Sequence, residues 1–377
     1  MAEPAALGEK SSVVVLGAGV SGLSAAHALL QRGHAVTLLE RGDIGKESSW
    51  AGGGILSPLL PWDYDEVVSQ LALRSMAGYA AWIEAIEAQA GCNAEFWRCG
   101  MRVFGIAHTE TALAWCRAHD MEAQPESGQM GASLWLPGIA QVRNPRLVAA
   151  LREAIVRLGG VIRTHSAAGA VKTASRRVLA IQTTQGSLAA EQFVIATGAW
   201  AGVSLPDASN QSDRLAGVPH VRPIRGQMLL FKLEPGVLDT ILYRNGLYLI
   251  PRRDGHVLVG STLEDAGFDK STDDVTRRRL HAEAAELLPA LAGLQPIRHW
   301  AGLRPGSPDN IPVIDRHPDF DNVFVNAGHY RYGVTLAPAS SELLAALMDG
   351  TPPPLDPAPY RWQAALQRRW VAPLQPT

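Results

Sequence analysis

The stretch SVVVLGAGVSGLSAAHALLQRGHAVTLLE, from Ser12 to Glu40, decides the fold. Its β-branched start over 12–16 predicts a buried strand, and the apolar run over 35–39 predicts a second one. A glycine-rich turn and a helix over 23–31 lie between them. Because such crossovers are right-handed and join parallel strands, the stretch predicts a βαβ unit with two parallel neighbours.

The turn carries the motif G-x-G-x-x-G, and Glu40 follows its last glycine by 18 residues, near the spacing of about 20 that is typical of dinucleotide sites. The first glycine allows a tight turn, the second lets a pyrophosphate approach the backbone, and the third lets the helix pack closely on the strand. Free N–H groups at the helix start suit phosphates. Glu40 can accept hydrogen bonds from ribose hydroxyls and disfavours a 2′-phosphate. The motif leaves FAD and NAD open, and its residues are Gly17, Ala18, Gly19, Val20, Ser21 and Gly22.

Composition excludes several other classes of protein. With 47% hydrophobic and 19% charged residues, the 377-residue chain is globular rather than disordered or fibrous. A formal charge of −2 without a long basic run gives no support for nucleic-acid binding. Three cysteines, with no C-x-x-C pair, argue against a disulfide framework and a zinc site, so no metal is expected. This composition predicts a cytoplasmic protein.

One segment, 11–30, has no Asp, Glu, Lys or Arg over 20 residues and is long enough to be a membrane candidate. Three glycines and His27 interrupt it, and the leader before it is not basic. A strand followed by a helix explains the segment better, so we expect no membrane insertion.

The remaining pattern predicts an α/β fold in which a Rossmann-like dinucleotide-binding domain is interleaved with a second, antiparallel-sheet (α+β) domain. Long helices are predicted over 66–90, 273–288 and about 336–348, and closely spaced strands over 221–261. We expect the first domain to be discontinuous, over 11–85, 145–215 and 296–350. The second domain then covers 86–144 and 216–295, and the tails cover 1–10 and 351–377, the latter lying on the surface.

Five blocks, in order along 12–345, resemble the D-amino-acid oxidase family of flavoproteins, in its glycine oxidase branch. They are the segment 48–56, the A-T-G-A-W ending of 193–200, P-x-R-G-Q at 223–227, W-A-G-L-R-P at 300–305 and G-H-[FY]-R at 328–331. The resemblance implies that the first domain is the Rossmann-like FAD-binding domain, with FAD extended across it, and that the antiparallel-sheet domain is the substrate domain. None of the cysteines falls in a matching block, so the FAD is expected to be non-covalent.

The resemblance implies further FAD contacts beyond the glycine motif and Glu40. The segment 48–56 would lie against the isoalloxazine ring, and Val171 would lie near the adenine through its main chain. The segment 328–333, at the start of the last helix, would present N–H groups to the flavin pyrimidine edge. The residues carried over are Arg41, Ser48, Ser49, Ala51, Gly52, Gly53, Gly54, Leu56, Val171, Thr197, Gly198, Trp200, Gly302, Arg304, His329, Tyr330, Arg331, Tyr332 and Gly333.

At the substrate, the resemblance implies that Arg304 binds the amino-acid carboxylate, because a planar guanidinium matches a carboxylate with two hydrogen bonds. Tyr248 would assist there, and Arg331 would lie near the flavin and the entrance. Tyr243 is a candidate for the cavity wall. The chain departs from the branch at Gly246, Leu263 and Tyr332, where a histidine, a methionine and an asparagine are found in relatives. These three positions are expected to alter the pocket.

The implied activity is oxidative deamination of glycine, small D-amino acids or N-methylglycine, with O2 as oxidant and a role in making the thiazole of thiamine. Three alternatives stay open: a D-amino-acid dehydrogenase with another acceptor, a flavin domain acting on modified tRNA, and a non-catalytic FAD scaffold. The family often forms dimers or tetramers, which leaves a homo-oligomer open. No nucleic-acid or membrane partner is expected.

Overall fold

The computed structural model describes residues 11–57, 60–128, 131–208 and 214–370, so the expected tail 1–10 and residues 371–377 lie outside it. Within the described residues the helices are α1 (Val20–Gln31), α2 (Ser48–Ala51), α3 (Glu66–Ala90), α4 (Thr109–Ala118), α5 (Asn144–Arg157), α6 (Asp274–Leu287), α7 (Gly333–Asp349) and α8 (Trp362–Gln367).

The strands of the described residues follow in chain order. They are β1 (Ser12–Leu16), β2 (Ala35–Leu39), β3 (Ile55–Leu56), β4 (Trp97–Arg98), β5 (Met101–Phe104), β6 (Gln124–Gly128), β7 (Gly131–Leu136), β8 (Ala140–Gln141), β9 (Val161–Arg163), β10 (Ala168–Ala174), β11 (Arg177–Thr183), β12 (Gly186–Ala189), β13 (Gln192–Ile195), β14 (Leu205–Pro206), β15 (Arg214–Leu215), β16 (Arg222–Lys232), β17 (Ile241–Arg244), β18 (Leu247–Pro251), β19 (His256–Gly260), β20 (Arg298–Gly306), β21 (Val313–Arg316) and β22 (Val323–Ala327).

The predicted βαβ unit forms the centre of a six-stranded sheet with the order β21-β22-β13-β1-β2-β9. β1 pairs in parallel with β2 on one side and with β13 on the other, and only β21 runs antiparallel, at the edge. Its valines are buried on both faces, as a central parallel strand requires. Helices α1, α3, α5 and α7 pack on one face, and the β10–β12 sheet covers the other.

A second, eight-stranded sheet has the order β20-β16-β19-β18-β17-β5-β7-β6. It is antiparallel except for the pair β17–β5, which is parallel. α6 buries Leu280, Ala284 and Leu287 against one face. Asp273 caps α6 by accepting a hydrogen bond from the Thr276 N–H at 2.8 Å. The predicted combination of a Rossmann-like sheet and a largely antiparallel second sheet is therefore confirmed.

The element limits differ from prediction where a backbone turn intervenes. The pattern of residues 95–107 predicts one strand, but Gly100, at φ 68°, separates β4 from β5 there. The last long helix begins at Gly333, three residues before the predicted start. β20, in the predicted third segment of the FAD-binding domain, pairs along its whole length with β16 of the eight-stranded sheet. The domain limits themselves stay a prediction.

The segment after Gly350 was expected on the surface, yet part of it is packed. Tyr360 and Trp362 are buried, and the Tyr360 hydroxyl donates to the Val67 carbonyl at 2.7 Å. Burial of two large aromatic rings fixes this segment although its prolines prevent a long helix. Across the described ranges, every helix is too short or too polar to cross a membrane.

Candidate active site

A long cavity extends from the β1–α1 turn to the strands β16, β18 and β20. It therefore runs from the parallel sheet to the second sheet, as a bound dinucleotide with a substrate beyond it would require. The predicted residues that line it are Gly17, Gly19, Val20, Ser21, Glu40, Arg41, Ser48, Ser49, Ala51, Gly52, Gly53, Gly54, Thr197, Gly198, Trp200, Tyr248, Gly302, Arg304, His329, Tyr330, Arg331, Tyr332 and Gly333.

The glycine motif forms a cradle at the start of α1. Gly17 has φ 100°, and a Cβ there would also lie 2.5 Å from the Ala196 carbonyl oxygen. A Cβ at Gly22 would overlap the Gly17 carbonyl. The first turn of α1 carries no acidic residue, and Ser49 Oγ accepts the Val20 N–H at 2.8 Å. This turn presents backbone N–H groups and the positive end of the helix dipole to the cavity.

Glu40 is held at the adjacent end of β2. Its Oε2 accepts the Ala18 N–H at 2.9 Å, and its Oε1 accepts the Gly42 N–H at 3.0 Å. Each oxygen keeps a lone pair for a ribose hydroxyl. Nearby, the Ser166 N–H donates to the Glu40 carbonyl at 2.8 Å, while Ser166 Oγ is buried without a hydrogen-bond partner in the described structure. A nucleoside at this place would satisfy that orphaned hydroxyl.

A segment from the second sheet reaches over this end of the cavity. Phe268 stacks on Trp200 with ring centroids 5.2 Å apart, and Lys270 Nζ lies 3.1 Å from Glu47 Oε2. The Arg41 guanidinium also lies over the Trp200 ring, at 3.4 Å from the ring centroid. The contact links 264–271 to the nucleotide end, which sequence reasoning did not anticipate.

The small residues 51–54 pass the middle of the cavity and are fixed by side chains from three other elements. The Asn144 amide donates to the Gly52 carbonyl at 3.1 Å, Arg252 donates to the Gly53 carbonyl at 2.8 Å, and Trp300 Nε1 donates to the Ala51 carbonyl at 3.2 Å. This segment is therefore a rigid wall, although its composition is that of a flexible loop.

Arg252 is itself buried, with 5% of its surface exposed. Burial, together with the positive charge of Arg143, lowers its pKa to about 10. Its guanidinium donates to the Gln141 side-chain oxygen and to the Val142 and Gly53 carbonyls. The buried Arg252 cation, directly behind the cavity wall, thus donates its hydrogen bonds to neutral carbonyl groups.

The start of α7 forms the opposite wall. His329 is buried and its Nε2 lies 3.1 Å from Ser340 Oγ. Burial lowers the pKa of His329 to about 4, so the ring is neutral at physiological pH. Tyr330 has φ 44°, which turns the chain into the helix. The first turn of α7 carries no acidic residue, so a second helix N-terminus faces the cavity.

At the far end, Arg304 and Tyr248 converge on Ser261. Ser261 Oγ accepts the Tyr248 hydroxyl at 2.9 Å and the Arg304 Nη2–H at 2.5 Å. Arg304 Nη1 also donates to the Thr262 carbonyl at 3.1 Å. The guanidinium lies flat over Gly226, where a Cβ would overlap it. The two residues predicted to bind the substrate carboxylate therefore meet at one point of the cavity.

Arg331 lines the cavity beside this pair. It donates to the Tyr64 hydroxyl at 3.1 Å. Burial alone would lower its pKa, but interactions with Tyr64, Tyr332, Tyr243 and Tyr248 outweigh burial and raise it. Arg331 is therefore a permanent cation in a ring of tyrosines.

Several predicted cofactor contacts do not line the cavity. Val171 is buried in β10, where its carbonyl accepts the Ala208 N–H at 2.7 Å. Residues 166–168 line the cavity instead. They lie between the end of β9 at Arg163 and the start of β10. Leu56 points into the core between two lining neighbours. Two residues of the glycine motif, Ala18 and Gly22, also do not line the cavity. The Ala18 N–H donates to Glu40, and Gly22 lets α1 pack closely against the turn.

Of the positions predicted to shape the substrate pocket, Tyr332 lines the cavity, whereas Tyr243, Gly246 and Leu263 lie off its surface. Asn245 and Gly246, at φ 50° and 85°, form the two-residue turn between β17 and β18, which demands positive φ at both places. Leu263 lies shortly after the end of β19 and does not line the cavity. Tyr243 is 1% exposed and sits behind Arg331, whose side chain it hydrogen-bonds.

The residues present fit an extended FAD. Two helix N-termini suit its pyrophosphate and pyrimidine edge, the anchored Glu40 suits its ribose, and the orphaned Ser166 hydroxyl suits its adenosine end. A search of the described ranges finds no cluster of His, Cys, Asp and Glu that could hold a metal ion. Fold and cavity together define a dinucleotide-binding protein of the flavoprotein type.

Comparisons with known proteins assign the family. The family described as FAD dependent oxidoreductase (DAO) matches residues 12–347. The chain belongs to this family, and its cofactor is FAD. It is 42% identical over 361 residues to a glycine oxidase of Pseudomonas aeruginosa, covering 92% of this chain and 97% of that one. It is 32% identical to a bifunctional protein ThiO/ThiG of Synechocystis, covering 90% of this chain and 51% of that one.

Solved structures agree with this assignment. The crystal structure of glycine oxidase from Geobacillus kaustophilus has a TM-score of 0.84 to this chain at 26% identity. The alignment covers 94% of this chain and 98% of that one. The predicted resemblance is confirmed along nearly the whole described chain.

Sequence reasoning missed several residues that build the site. One of them is Asn144, whose amide donates to the Gly52 carbonyl. Gly226 and Ser261 shape the Arg304 position, and Arg252, directly after the end of β18, does not line the cavity. Gly226 lies in the block P-x-R-G-Q at 223–227, which carries the family resemblance, so the sequence did point to this position. No such signal marked Ser261 or Arg252.

Proposed function

We propose that this protein oxidises glycine and small amino acids of the N-methylglycine or D-alanine type, with O2 as the final oxidant. The observation that carries the proposal is the convergence of Arg304 and Tyr248 on Ser261, next to the wall 51–54. The overall reaction converts glycine, water and O2 into glyoxylate, ammonia and H2O2. The relatives named glycine oxidase support this substrate class.

The chemistry of electron transfer belongs to the cofactor, since FAD when bound accepts a hydride from the α-carbon of the amine. The chain supplies orientation. Arg304 holds the substrate carboxylate with two parallel hydrogen bonds, and Tyr248 donates a third in place of its hydrogen bond to Ser261. With the carboxylate fixed, the α-carbon is directed toward the wall 51–54.

Apart from the arginines, the polar side chains near the substrate amine are uncharged hydroxyl groups. Beside Arg304 and Arg331, the side chains at this end include the neutral Tyr248, Tyr330, Tyr332 and Ser261, and burial raises the pKa of Tyr330 and Tyr332. These tyrosines stay protonated at neutral pH and supply no base, so the substrate ammonium gives its proton to water and reacts as the neutral amine. The N-terminus of α7 offers positive potential where negative charge develops on reduction.

The proposed setting is the cytoplasm, which the three unpaired cysteines support. The product of glycine oxidation before hydrolysis is an imine, and its use for the thiazole of thiamine is the proposed role. The ThiO/ThiG relatives are consistent with it. A homo-oligomer is proposed by analogy with the family.

Arg304→Ala tests the proposal. Loss of a charged, bidentate partner is expected to lower kcat/KM for glycine by about 10- to 100-fold or more, at 1.5–3 kcal/mol for a hydrogen bond to a charged group. Flavin absorbance per protein should be retained. Arg176→Ala, which breaks a surface pair with Asp321, is the matched control. Full glycine turnover in Arg304→Ala would overturn the carboxylate assignment.

A further inference from the structure

The segment 362–370, the last part of the described chain, passes from one sheet to the other and ends beside the cavity. The Trp362 N–H, at the start of α8, donates to the Asp315 carboxylate in β21 at 2.9 Å. At the other end of the segment, Trp370 Nε1 donates at 3.0 Å to the carbonyl of His220, shortly before β16. The segment therefore links the six-stranded sheet to the eight-stranded sheet.

The Trp370 indole is fixed by contacts around the ring. Its Nε1 is held by the hydrogen bond to His220, and the Arg222 guanidinium lies over the ring at 4.2 Å from the centroid. Arg222 is held in turn by Asp265 at 2.8 Å. The ring also packs on the backbone of β20, since a Cβ at Gly306 would lie 2.9 Å from it. The indole is therefore a fixed support rather than a loose surface side chain.

This support meets a side chain of the active site. The rings of Trp370 and Tyr330 lie edge to face, with centroids 6.1 Å apart and planes at 79°. Aromatic pairs in this geometry attract each other beyond the burial of their surfaces. Tyr330 lines the cavity, whereas Trp370 does not. The C-terminal segment thus braces a wall of the cavity without entering it.

Tyr330 occupies a position that needs such bracing. Its φ of 44° lies in the left-handed region, which costs free energy for a residue other than glycine and persists only where neighbouring contacts hold it. Two hydrogen bonds restrain the backbone here. The Tyr330 N–H donates to the Pro305 carbonyl at 2.9 Å, and Ser307 Oγ donates to the Gly328 carbonyl at 2.5 Å. Trp370 restrains the side chain.

The Tyr330 side chain lies close to the group that binds the substrate carboxylate in the proposed function. The charges of Arg304 and Arg331 both offset part of the effect of burial on the Tyr330 pKa. The backbone of Tyr330 is bonded to the residue that follows Arg304. A shift of the Tyr330 ring would therefore change the cavity wall beside Arg304, while the glycine motif and the wall 51–54 would stay as they are.

We propose that Trp370 is a positioning residue for substrate binding, which holds the Tyr330 ring in place beside Arg304. The C-terminal segment thereby sets the affinity of the cavity for a carboxylate. The inference rests on the proposed function, in which Arg304 binds that carboxylate. Since Trp370 does not line the cavity, it acts through Tyr330.

Acetate titrated into the oxidised holoenzyme at constant ionic strength, followed by the flavin absorbance change, measures carboxylate binding without turnover. Trp370→Ala is expected to raise the acetate Kd by about three- to tenfold, the range that one aromatic pair contributes. Trp370→Phe keeps a ring beside Tyr330 and should restore most of the affinity. Anaerobic flavin reduction by glycine should show the same rise in half-saturating concentration, with the limiting rate changed by less than about twofold.

Trp135→Ala is the matched control. Trp135 is also half-buried, has the Arg102 guanidinium over its ring at 4.6 Å and packs on Gly100, yet it does not line the cavity. This variant should bind acetate as the wild type does. An unchanged acetate Kd in Trp370→Ala, or an equal rise in Trp135→Ala, would overturn the inference. If Trp370→Ala fails to retain FAD, Trp370→Leu, which keeps apolar bulk on Gly306, is measured in its place against the same criteria.

A double variant tests whether the effect passes through Tyr330. In a Tyr330→Leu background, Trp370→Ala should raise the acetate Kd by less than about twofold, because the contact that it removes is already lost. A full three- to tenfold rise in that background would mean that Trp370 acts by another route, and would overturn the positioning role.

Glycine added to the wild-type holoenzyme without O2 separates this inference from the proposed function. Flavin reduction by glycine, together with an acetate Kd that Trp370→Ala leaves unchanged, overturns the inference and leaves the proposed function standing. An acetate affinity that depends on Trp370, with no reduction by glycine, overturns glycine as substrate and supports the positioning role.

Discussion

Gly226 gives Arg304 the space in which its guanidinium lies. The two residues belong to neighbouring strands, β16 and β20, whose register pairs Gly226 with Gly302 and Arg304 with Ile224. A methyl group at 226 would overlap both terminal nitrogens of Arg304. The guanidinium of Arg304, the proposed carboxylate-binding group, can therefore take its position because Gly226 on the adjacent strand has no side chain.

Gly226→Ala is expected to displace Arg304 and raise KM for glycine by about tenfold or more, the cost of one lost charged hydrogen bond. FAD content should stay near that of the wild type because the glycine motif and Glu40 are untouched. Steady-state kinetics and flavin absorbance measure the two quantities. Gly78→Ala, in α3 with open space around it, is the matched control. An unchanged KM in Gly226→Ala would contradict the steric argument.

Arg252→Met is expected to destabilise the holoprotein by about 2–4 kcal/mol, because it leaves two buried carbonyls, of Val142 and Gly53, without donors. The wall 51–54 should loosen and release FAD more readily. Urea unfolding and flavin content are the measurements. Arg253→Met is the control, since this neighbouring guanidinium is exposed and lies over Trp97. Equal losses in the two variants would argue against a specific role for Arg252.

Glu40→Gln is expected to weaken FAD binding by about tenfold. Both carboxylate oxygens accept backbone N–H groups, so a glutamine must turn its NH2 toward one of these donors. The fluorescence of FAD released on dilution reports the affinity. Glu191→Gln, which alters an acceptor of the Ser12 N–H outside the cavity, should release no more FAD than the wild type. Tight retention in Glu40→Gln would remove the ribose role.

His329 makes stability depend on pH. Burial lowers its pKa to about 4 in the folded state, against 6.5 ordinarily. Between those values the unfolded chain binds more protons than the folded one, so stability falls as pH decreases through that window. At 1.36 kcal/mol per pKa unit, the His329 contribution lost between pH 7 and 5 is about 2 kcal/mol. Urea unfolding with saturating FAD should show a flatter pH dependence in His329→Gln, and identical slopes would contradict the assignment.

The parallel core was predictable because its signals are local. The run 12–16, the glycine motif and Glu40 lie within one short stretch, and backbone geometry leaves few other ways to arrange them. The resemblance supplied the rest of the class, since W-A-G-L-R-P and P-x-R-G-Q each bring a residue to the cavity.

What escaped prediction depends on contacts between distant segments. Asn144 meets Gly52 across 92 positions, and Arg252 meets Gly53 across 199. Ser261 is a common residue type whose role exists only because Tyr248 and Arg304 approach it from two strands. Residues 166–168, rather than Val171, line the cavity, and the predicted contact of Val171 with the adenine stays a prediction. No local pattern encodes these relations.

Reduction of the bound flavin by glycine is the most direct test of the central claim. The purified yellow protein is mixed with glycine without O2, and air is then admitted. The account predicts loss of the oxidised flavin absorbance, its return with air, and one H2O2 formed per glycine consumed. A flavin that stays oxidised with glycine, N-methylglycine and D-alanine alike would contradict it.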